Sequence, residues 1–373
     1  MKTIGITGHT GFFGQHIKWF FYGFRNDVKI IPIGREFFSE KYEKLPSVLK
    51  ECETVIHLAG AHPANTKNAE EIYAINLDLA RKLTGACDVA GATPYLIFAS
   101  SIQAYRDNPY GKSKKDVGAL FRAWGEKTGA YVTNLIIPNE FGENGRPFHT
   151  TVVATFSHQL IKGEPSTVNL DAVIPLIHTQ DVARIMYNLI RDPKNEDIEL
   201  PGTSMKVADL YDILRGFKEN YFDRDIVPSF PTDLHYKLFN TFRSYLFDFD
   251  FYPRSIEIKS DERGSLFDLV KEKTGGQTFV SSTKPGKVRG NHYHTRKIER
   301  FCVIKGVAEI KLRKLLADDV RTFRVSGNQP TYIDMPTFFT HNIINIGNDE
   351  LITAFWINEL LDKNDSDAYP EEV

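Results

Sequence analysis

A chain of 373 residues is long for one domain and natural for two, each able to bury its own core. With 46 basic against 48 acidic residues, no bulk charge favours nucleic acid or an anionic membrane as a partner. Cys52, Cys87 and Cys302 are widely separated, odd in number and without metal-type spacing, which excludes a disulfide framework and points to a reducing, cytoplasmic setting. The start, MKTIGITG, lacks the basic-then-apolar pattern of a signal peptide, and no apolar run approaches the roughly 20 residues that span a bilayer.

Residues 2–7 predict a short apolar strand, followed at once by Gly8-His-Thr-Gly11-Phe12-Phe13-Gly14 and a helical pattern through Ile17 and Phe20. Glycines at this spacing allow a tight turn, a close backbone approach to pyrophosphate and close packing of helix on strand. A second strand over 28–33 comes at the expected distance and ends in Gly34-Arg35, where an NAD-selective site carries an acidic residue. A guanidinium there can pair with a 2′-phosphate, so NADP(H) is expected, with Glu36 adjacent as the competing feature. Strands over 54–59 and 95–99 alternate with a long amphipathic helix over 70–87, the pattern of βαβ units around a parallel sheet.

Tyr110-Gly-Lys-Ser-Lys114 places a phenol and an ammonium four residues apart, on one face of a helix. A cation beside a phenol favours phenolate and so a proton exchange with a carbonyl oxygen, to which Ser101 at the preceding strand end would also donate. The same spacing also suits a solvated helix face; the surrounding motifs decide between the two. The glycine loop, His57-Leu58-Ala59-Gly60, Asn76, Phe98-Ala-Ser-Ser101, Tyr110/Lys114, Pro138-Asn139-Glu-Phe-Gly142 and Ile177-His178-Thr-Gln-Asp181-Val182 occur in the order that resembles the extended short-chain dehydrogenase/reductases acting on nucleotide-activated sugars. That resemblance covers roughly residues 1–245 and implies a doubly wound Rossmann-type α/β domain. It implies Ser101, Tyr110 and Lys114 as catalytic residues. It also implies an NADPH site built from Gly8, Gly11, Phe12, Phe13, Gly14, Arg35, Leu58, Ala59, Tyr110 and Lys114. Asn139 matches a residue that contacts the sugar nucleotide, and loop capping is an equal reading of it.

After a helical stretch over 232–246 the pattern changes to short strands: 255–258, 278–282, 301–304, 308–312, 320–325, 331–334, 341–345 and 351–356. From after the second through the third runs Gly286 to Gly306, with His292, His294 and Glu299 at fixed spacing, and downstream follows Pro336-Thr-Phe-Phe-Thr-His341-Asn-Ile-Ile-Asn345. The first segment resembles the first cupin motif without departure. The second resembles the other cupin motif, with Phe338 and Pro330 in place of glycines. An all-β cupin jelly-roll barrel over 246–373 is therefore expected. In a strand, His292 and His294 share a face, while Glu299 and His341 would come from neighbouring strands. Three imidazoles and one carboxylate suit Zn, Mn, Fe or Ni, and zinc is the expected ion. The segments 261–267 and 288–294 resemble deoxysugar nucleotide 3,5-epimerases, themselves cupins, which implies Arg289 as a substrate diphosphate contact.

The order of domains is similar to the bifunctional capsular polysaccharide and O-antigen enzymes. The resemblance implies C3 epimerisation of a UDP-linked 4-keto-6-deoxy-N-acetylhexosamine in the cupin, then NADPH-dependent C4 reduction to UDP-2-acetamido-2,6-dideoxy-L-talose, and a homodimer. Epimerisation must come first, because the C3 proton is acidic only while C4 is a ketone. Tyr293, Lys297 and Asp334 are the candidate proton bases if all four ligands hold metal. Two further readings keep the reductase and make the cupin a noncatalytic binding or dimerising module, or an iron-dependent oxygenase.

Overall fold

The computed structural model describes the chain except for residues 25–26, 64–67, 150, 168, 170, 257–258, 262–263, 267–268, 273–275 and 360–363. The expected strand over 255–258 and the 261–267 segment fall partly on these positions and to that extent lie outside the described residues. The chain divides into two compact units, Met1–Thr155 with Leu170–Val207, and Phe156–Asn169 with Ala208–Val373. The boundary expected at 245 thus lies inside the second unit, because the helix Asp233–Leu246 packs there: Phe239 and Phe242 lie against Phe217, and Phe239 against Tyr221.

In the first unit, strands β1 (Lys2–Thr7), β2 (Val28–Ile33), β3 (Thr54–His57), β4 (Tyr95–Ser101) and β5 (Val132–Ile137) form a parallel sheet in the order β2-β1-β3-β4-β5, extended at its edge by the strand Asp197–Glu199. Apolar side chains point to both faces, as a sheet covered on both sides requires. Ile4, Ile6, Ile56 and Ile97 pack with Ile17 and Phe20 of helix α1 (Phe12–Phe24) on one face. Val55, Leu96 and Phe98 pack on the other with Leu83 of helix α2 (Ala69–Ala90) and Phe121 of helix α3 (Pro109–Thr128). The chain moves outward from β1 to β2 and then returns to β3, so the strand order reverses between β1 and β3. A ligand crevice opens at the carboxyl ends of strands where such a reversal occurs.

The second unit carries two five-stranded antiparallel sheets. One runs Arg254–Ser255, Thr331–Met335, Glu299–Lys305, Leu351–Ile357, Gln277–Thr283; the other runs Val320–Ser326, Val307–Lys314, Phe339–Asn345, Val288–Tyr293, Tyr369–Pro370. Their alternating burial buries one set of side chains inside the barrel, as in Ala308, Ile310 and Leu312. A register shift between Gly290 and His292, with Asn291 left-handed at φ 58°, brings His292 directly opposite His341 on the adjacent strand.

Candidate active sites in the two units

The first site grows from the crevice between β1 and β3. Gly8 has φ +67°, and a Cβ there would lie 2.8 Å from the Ala59 amide nitrogen; a Cβ on Gly14 would lie 2.4 Å from the Gly8 carbonyl oxygen. The loop, the helix start and the end of β3 therefore approach each other as closely as backbone permits, which is the cradle a dinucleotide pyrophosphate needs. Thr7 fixes the floor: its hydroxyl oxygen accepts from the amides of Leu58 and Ala59, both at 3.1 Å, and lies 2.9 Å from His57 Nδ1. Burial, and Lys114 less strongly, push His57 down to about 3, so it stays neutral. Asn76 closes the next loop, accepting from the Ala61 amide at 2.6 Å and donating to Ser113 Oγ at 2.9 Å. At the end of β2, Arg35 is exposed, while the Glu36 carboxylate folds back over Gly34.

Helix α3 starts where the sequence dictates. Asn108 caps it, accepting from the Gly111 amide at 2.8 Å, and Pro109 occupies the first turn. A Cβ at Gly111 would stand 2.1 Å from the Gln103 carbonyl oxygen, so only glycine lets the helix start pack on the turn that follows Ser101. Ser101 accepts from the Gln103 amide at 3.2 Å, which leaves its own O–H as a donor. Lys114 is buried and donates to the Ala99 carbonyl at 2.8 Å, with Nζ 5.8 Å from the Tyr110 ring centroid. Burial brings Lys114 down to about 8.

The expected pull of Lys114 on the phenol is not what this geometry gives. Burial and the Glu140 carboxylate push the Tyr110 phenol above its ordinary range, while the ammonium lies over the ring face. Glu140, whose own carboxyl is raised by burial, is a site group that sequence reasoning passed over. His62, stacked edge-on to Tyr110 at 5.0 Å and brought down to about 4 by burial, His149 and Lys114, is another. Glu140 had a signal, an acid directly after Asn139 in Pro138–Gly142, whereas His62 had none. Asn139 donates to the Pro175 carbonyl at 3.2 Å; Pro175, with Ile102, Pro138, Glu199 and Leu200, lines a cavity of about 410 Å3.

The second site lies inside the barrel. His292, His294, Glu299 and His341 place one ligand atom each within 4.8 Å of one another. His292 is the penultimate residue of the strand Val288–Tyr293 and His294 follows it; His341 comes from the neighbouring strand and Glu299 from the other sheet. Glu299 Oε2 lies 2.9 Å from His294 Nε2, 3.1 Å from His341 Nε2 and 3.9 Å from His292 Nε2. The far nitrogens face backbone carbonyls, His294 Nδ1 at 2.6 Å from Asp367 O and His341 Nδ1 at 3.2 Å from Phe339 O. An Nδ1–H donating to a carbonyl turns the Nε2 lone pair toward the cluster, so the donor set fits a divalent metal. Burial alone would raise the Glu299 carboxyl, but the three imidazoles that close on it hold it well below the usual carboxylate range. Burial likewise opposes charge on His294, and the Glu299 hydrogen bond and charge outweigh it and raise that ring.

The three base candidates do not face this cluster. Asp334 sits in a buried two-pronged pair with Arg300, at 2.7 and 3.0 Å, on the face of its strand opposite to Glu299's neighbours. Lys297 donates to the Ser366 carbonyl at 2.6 Å, and Tyr293 stacks on Tyr369 at 5.4 Å. Arg289 reaches to the end strand of the other sheet, donating to the Ser282 carbonyl at 2.8 Å and to Thr283 Oγ1 at 3.0 Å. Phe338, in the place of a usual glycine, has φ 62°; its amide donates to the His294 carbonyl at 2.9 Å, which holds the left-handed turn.

Residues 4–200 match the family model of the NAD dependent epimerase/dehydratase family, and the chain belongs to that family. Residues 259–369 match the polysaccharide biosynthesis C-terminal domain. Over 99% of its length the chain is 30% identical to the UDP-2-acetamido-2,6-beta-L-arabino-hexul-4-ose reductase of Pseudomonas aeruginosa, covering 98% of that protein. It is also similar to the crystal structure of the capsular polysaccharide assembling protein CapF from Staphylococcus aureus, at 30% identity and a TM-score of 0.63, over 99% of this chain and 100% of that one. The UDP-glucose 4-epimerase of Thermotoga maritima, at 19% identity and a TM-score of 0.56, covers 66% of this chain and all of its own, and shares the fold. Among the described residues no helix is long and apolar enough to cross a membrane.

Proposed function

We propose that the chain epimerises C3 of a UDP-linked 4-keto-6-deoxy-N-acetylhexosamine in the barrel and then reduces C4 in the first unit, giving UDP-2-acetamido-2,6-dideoxy-L-talose en route to UDP-N-acetyl-L-fucosamine. The observation that carries this reading is the largely buried three-histidine, one-carboxylate cluster in a chain whose other unit holds Ser101, Tyr110 and Lys114. The relatives named above, one a reductase of a UDP-linked ketosugar and one a capsule-assembling protein, support it over the whole length.

NADPH, preferred through Arg35, supplies hydride to C4 when bound. Tyr110 gives its proton to the C4 oxygen, a task that a phenol kept protonated by burial is suited to, and Ser101 donates to the same oxygen as charge builds. Lys114 supplies positive charge behind the ring, and Asn139, next in sequence to Pro138 of the cavity wall, would contact the sugar nucleotide. In the barrel, His292, His294, Glu299 and His341 would hold a divalent ion, zinc by its donor set, which supplies positive charge next to the ketone. Arg289 would pair with the diphosphate after leaving Ser282. Homodimer formation completes this reading.

A second reading has an observation of its own: Asp334 and Lys297 are both engaged away from the cluster, which favours a ketosugar reductase whose barrel only binds. Incubation of the ketosugar nucleotide in D2O separates the two. Deuterium entering C3 without NADPH, lost in His292→Ala and retained in Tyr110→Phe, is the outcome expected. Consumption of NADPH with no label at C3 would leave the chain a plain reductase.

A further inference from the structure

We propose that Asp367 is the positioning residue of the metal centre: it holds His294 in its metal-ready tautomer and keeps rigid the crossover that joins His294 to Glu299. The proposal rests on reading the cluster as a metal site.

The chain crosses from one sheet to the other over residues 295–298, and the two ligands stand at either end of that crossover. Their spacing is therefore set by a loop, whose buried amides and carbonyls need partners. Asp367 supplies the amide side for the first three of these residues, and Asn358 Oδ1 accepts from the Ile298 amide at 2.9 Å. Its Oδ1 accepts from the Thr295 amide at 3.1 Å and the Thr295 hydroxyl at 2.6 Å, and its Oδ2 accepts from the amides of Arg296 at 3.0 Å and Lys297 at 2.9 Å. Three successive N–H groups converging on one carboxylate form an anion nest.

Helix Asp233–Leu246 takes the carbonyl side, Asn240 donating to Arg296 O at 3.3 Å and Arg243 to Lys297 O at 3.4 Å. The crossover is thus gripped from both sides, and one residue of the grip also touches a ligand directly. The Asp367 carbonyl accepts from His294 Nδ1 at 2.6 Å. Asp367 is 2% exposed and left-handed at φ 43°, a strained conformation for a residue with a Cβ, and from it both its carboxylate and its carbonyl reach the same crossover. Tyr369 and Pro370 pair with Tyr293 and His292 and hold it in register, whereas the Asp365 carboxylate pairs with Arg296 at 2.8 and 3.1 Å at the surface.

Without this anchor the His294 carbonyl partner drifts, and a proton on Nε2 then competes with the ion for the same lone pair. The test uses the full chain. Zn2+ affinity is measured by competition with a chromophoric chelator for the unmodified protein, Asp367→Ala and Asp365→Ala. Affinity is expected to fall about 10- to 100-fold for Asp367→Ala, and by less than about twofold for Asp365→Ala, whose ion pair is largely exposed. The second readout needs no metal and no substitution at Asp367. In the metal-free, 15N-histidine-labelled protein, with His294 assigned by loss of its signal in His294→Gln, the proton is expected on Nδ1. Equal Zn2+ affinity in Asp367→Ala, or a His294 proton found only on Nε2, overturns the proposal. An unmodified chain that takes up no Zn2+ overturns the metal reading itself, a result distinct from either.

Discussion

In the first unit the reactive groups are held by backbone, whereas in the barrel they also close on one another. Lys114 is fixed by the Ala99 carbonyl, Ser101 by the Gln103 amide, and Tyr110 by a helix start that glycine alone lets pack so closely. His294 and His341 instead converge on Glu299, and a second buried pair, Arg300 with Asp334, braces the same strand from its other face. The difference teaches where each site is vulnerable: the first through backbone geometry, the second through charge.

The largest expected effect tests the charged side of that contrast. Asp334→Ala strands the Arg300 guanidinium, 2% exposed and stacked on Tyr332 at 3.7 Å, in the barrel wall. Removing one partner of a buried pair costs about 3–5 kcal/mol, and replacing both by well-packed apolar residues costs far less. Hydrogen exchange resolved along the chain should therefore show protection lost in Glu299–Lys305 and Thr331–Met335 and kept in the parallel sheet. An Arg300→Leu/Asp334→Leu double variant should recover most of it. Equal losses in single and double variants would mean that packing, not charge, holds the wall.

The next effect tests the backbone side. In Gly14→Ala the new methyl falls 2.4 Å from the Gly8 carbonyl oxygen, so the helix start must move away from the phosphate loop. NADPH affinity is expected to drop at least tenfold, about 1.4 kcal/mol, with the Zn2+ content of the barrel unchanged. Undiminished NADPH binding by fluorescence titration would show that the loop does not approach the cofactor as proposed.

What could be read from the sequence follows the same division. The glycine loop, Tyr110 with Lys114, and His292, His294 and Glu299 were legible because each set is local and its spacing is imposed by a turn, a helix or a strand. The parallel sheet and the antiparallel barrel were legible for the same reason, through buried-type runs and short strands. Groups assembled across the fold were not. Asp367 meets His294 from 73 residues away, and no periodicity links them. Asp334 looked like a base because an acid near the cupin ligands suits one; only the strand register, which sets it opposite Arg300, reveals its partner. The Tyr110 shift was misjudged because sequence counts Lys114 but not burial or Glu140.

The smallest effect per step is a pH dependence that belongs to the first unit. Burial, and Lys114 less strongly, depress His57 from its ordinary value near 6.5 to about 3, so the folded chain keeps this ring neutral where the unfolded chain takes up a proton. Stability rises with pH wherever the unfolded state binds more protons, so the His57 contribution is complete above about 6.5 and is lost as pH falls toward about 3. Within that window the slope is about 1.4 kcal/mol per pH unit for one group. Since Thr7 Oγ1 lies 2.9 Å from His57 Nδ1, His57→Asn keeps an acceptor in nearly the same place without the titration. Denaturant unfolding at pH 6 and pH 5 should show the first unit of the unmodified chain losing about 1.4 kcal/mol more than His57→Asn does, with the barrel's midpoint shifting equally in both. Parallel pH slopes in the two proteins would mean that the floor of the cofactor crevice tolerates a charged ring, and that the backbone-held site is less dry than its geometry implies.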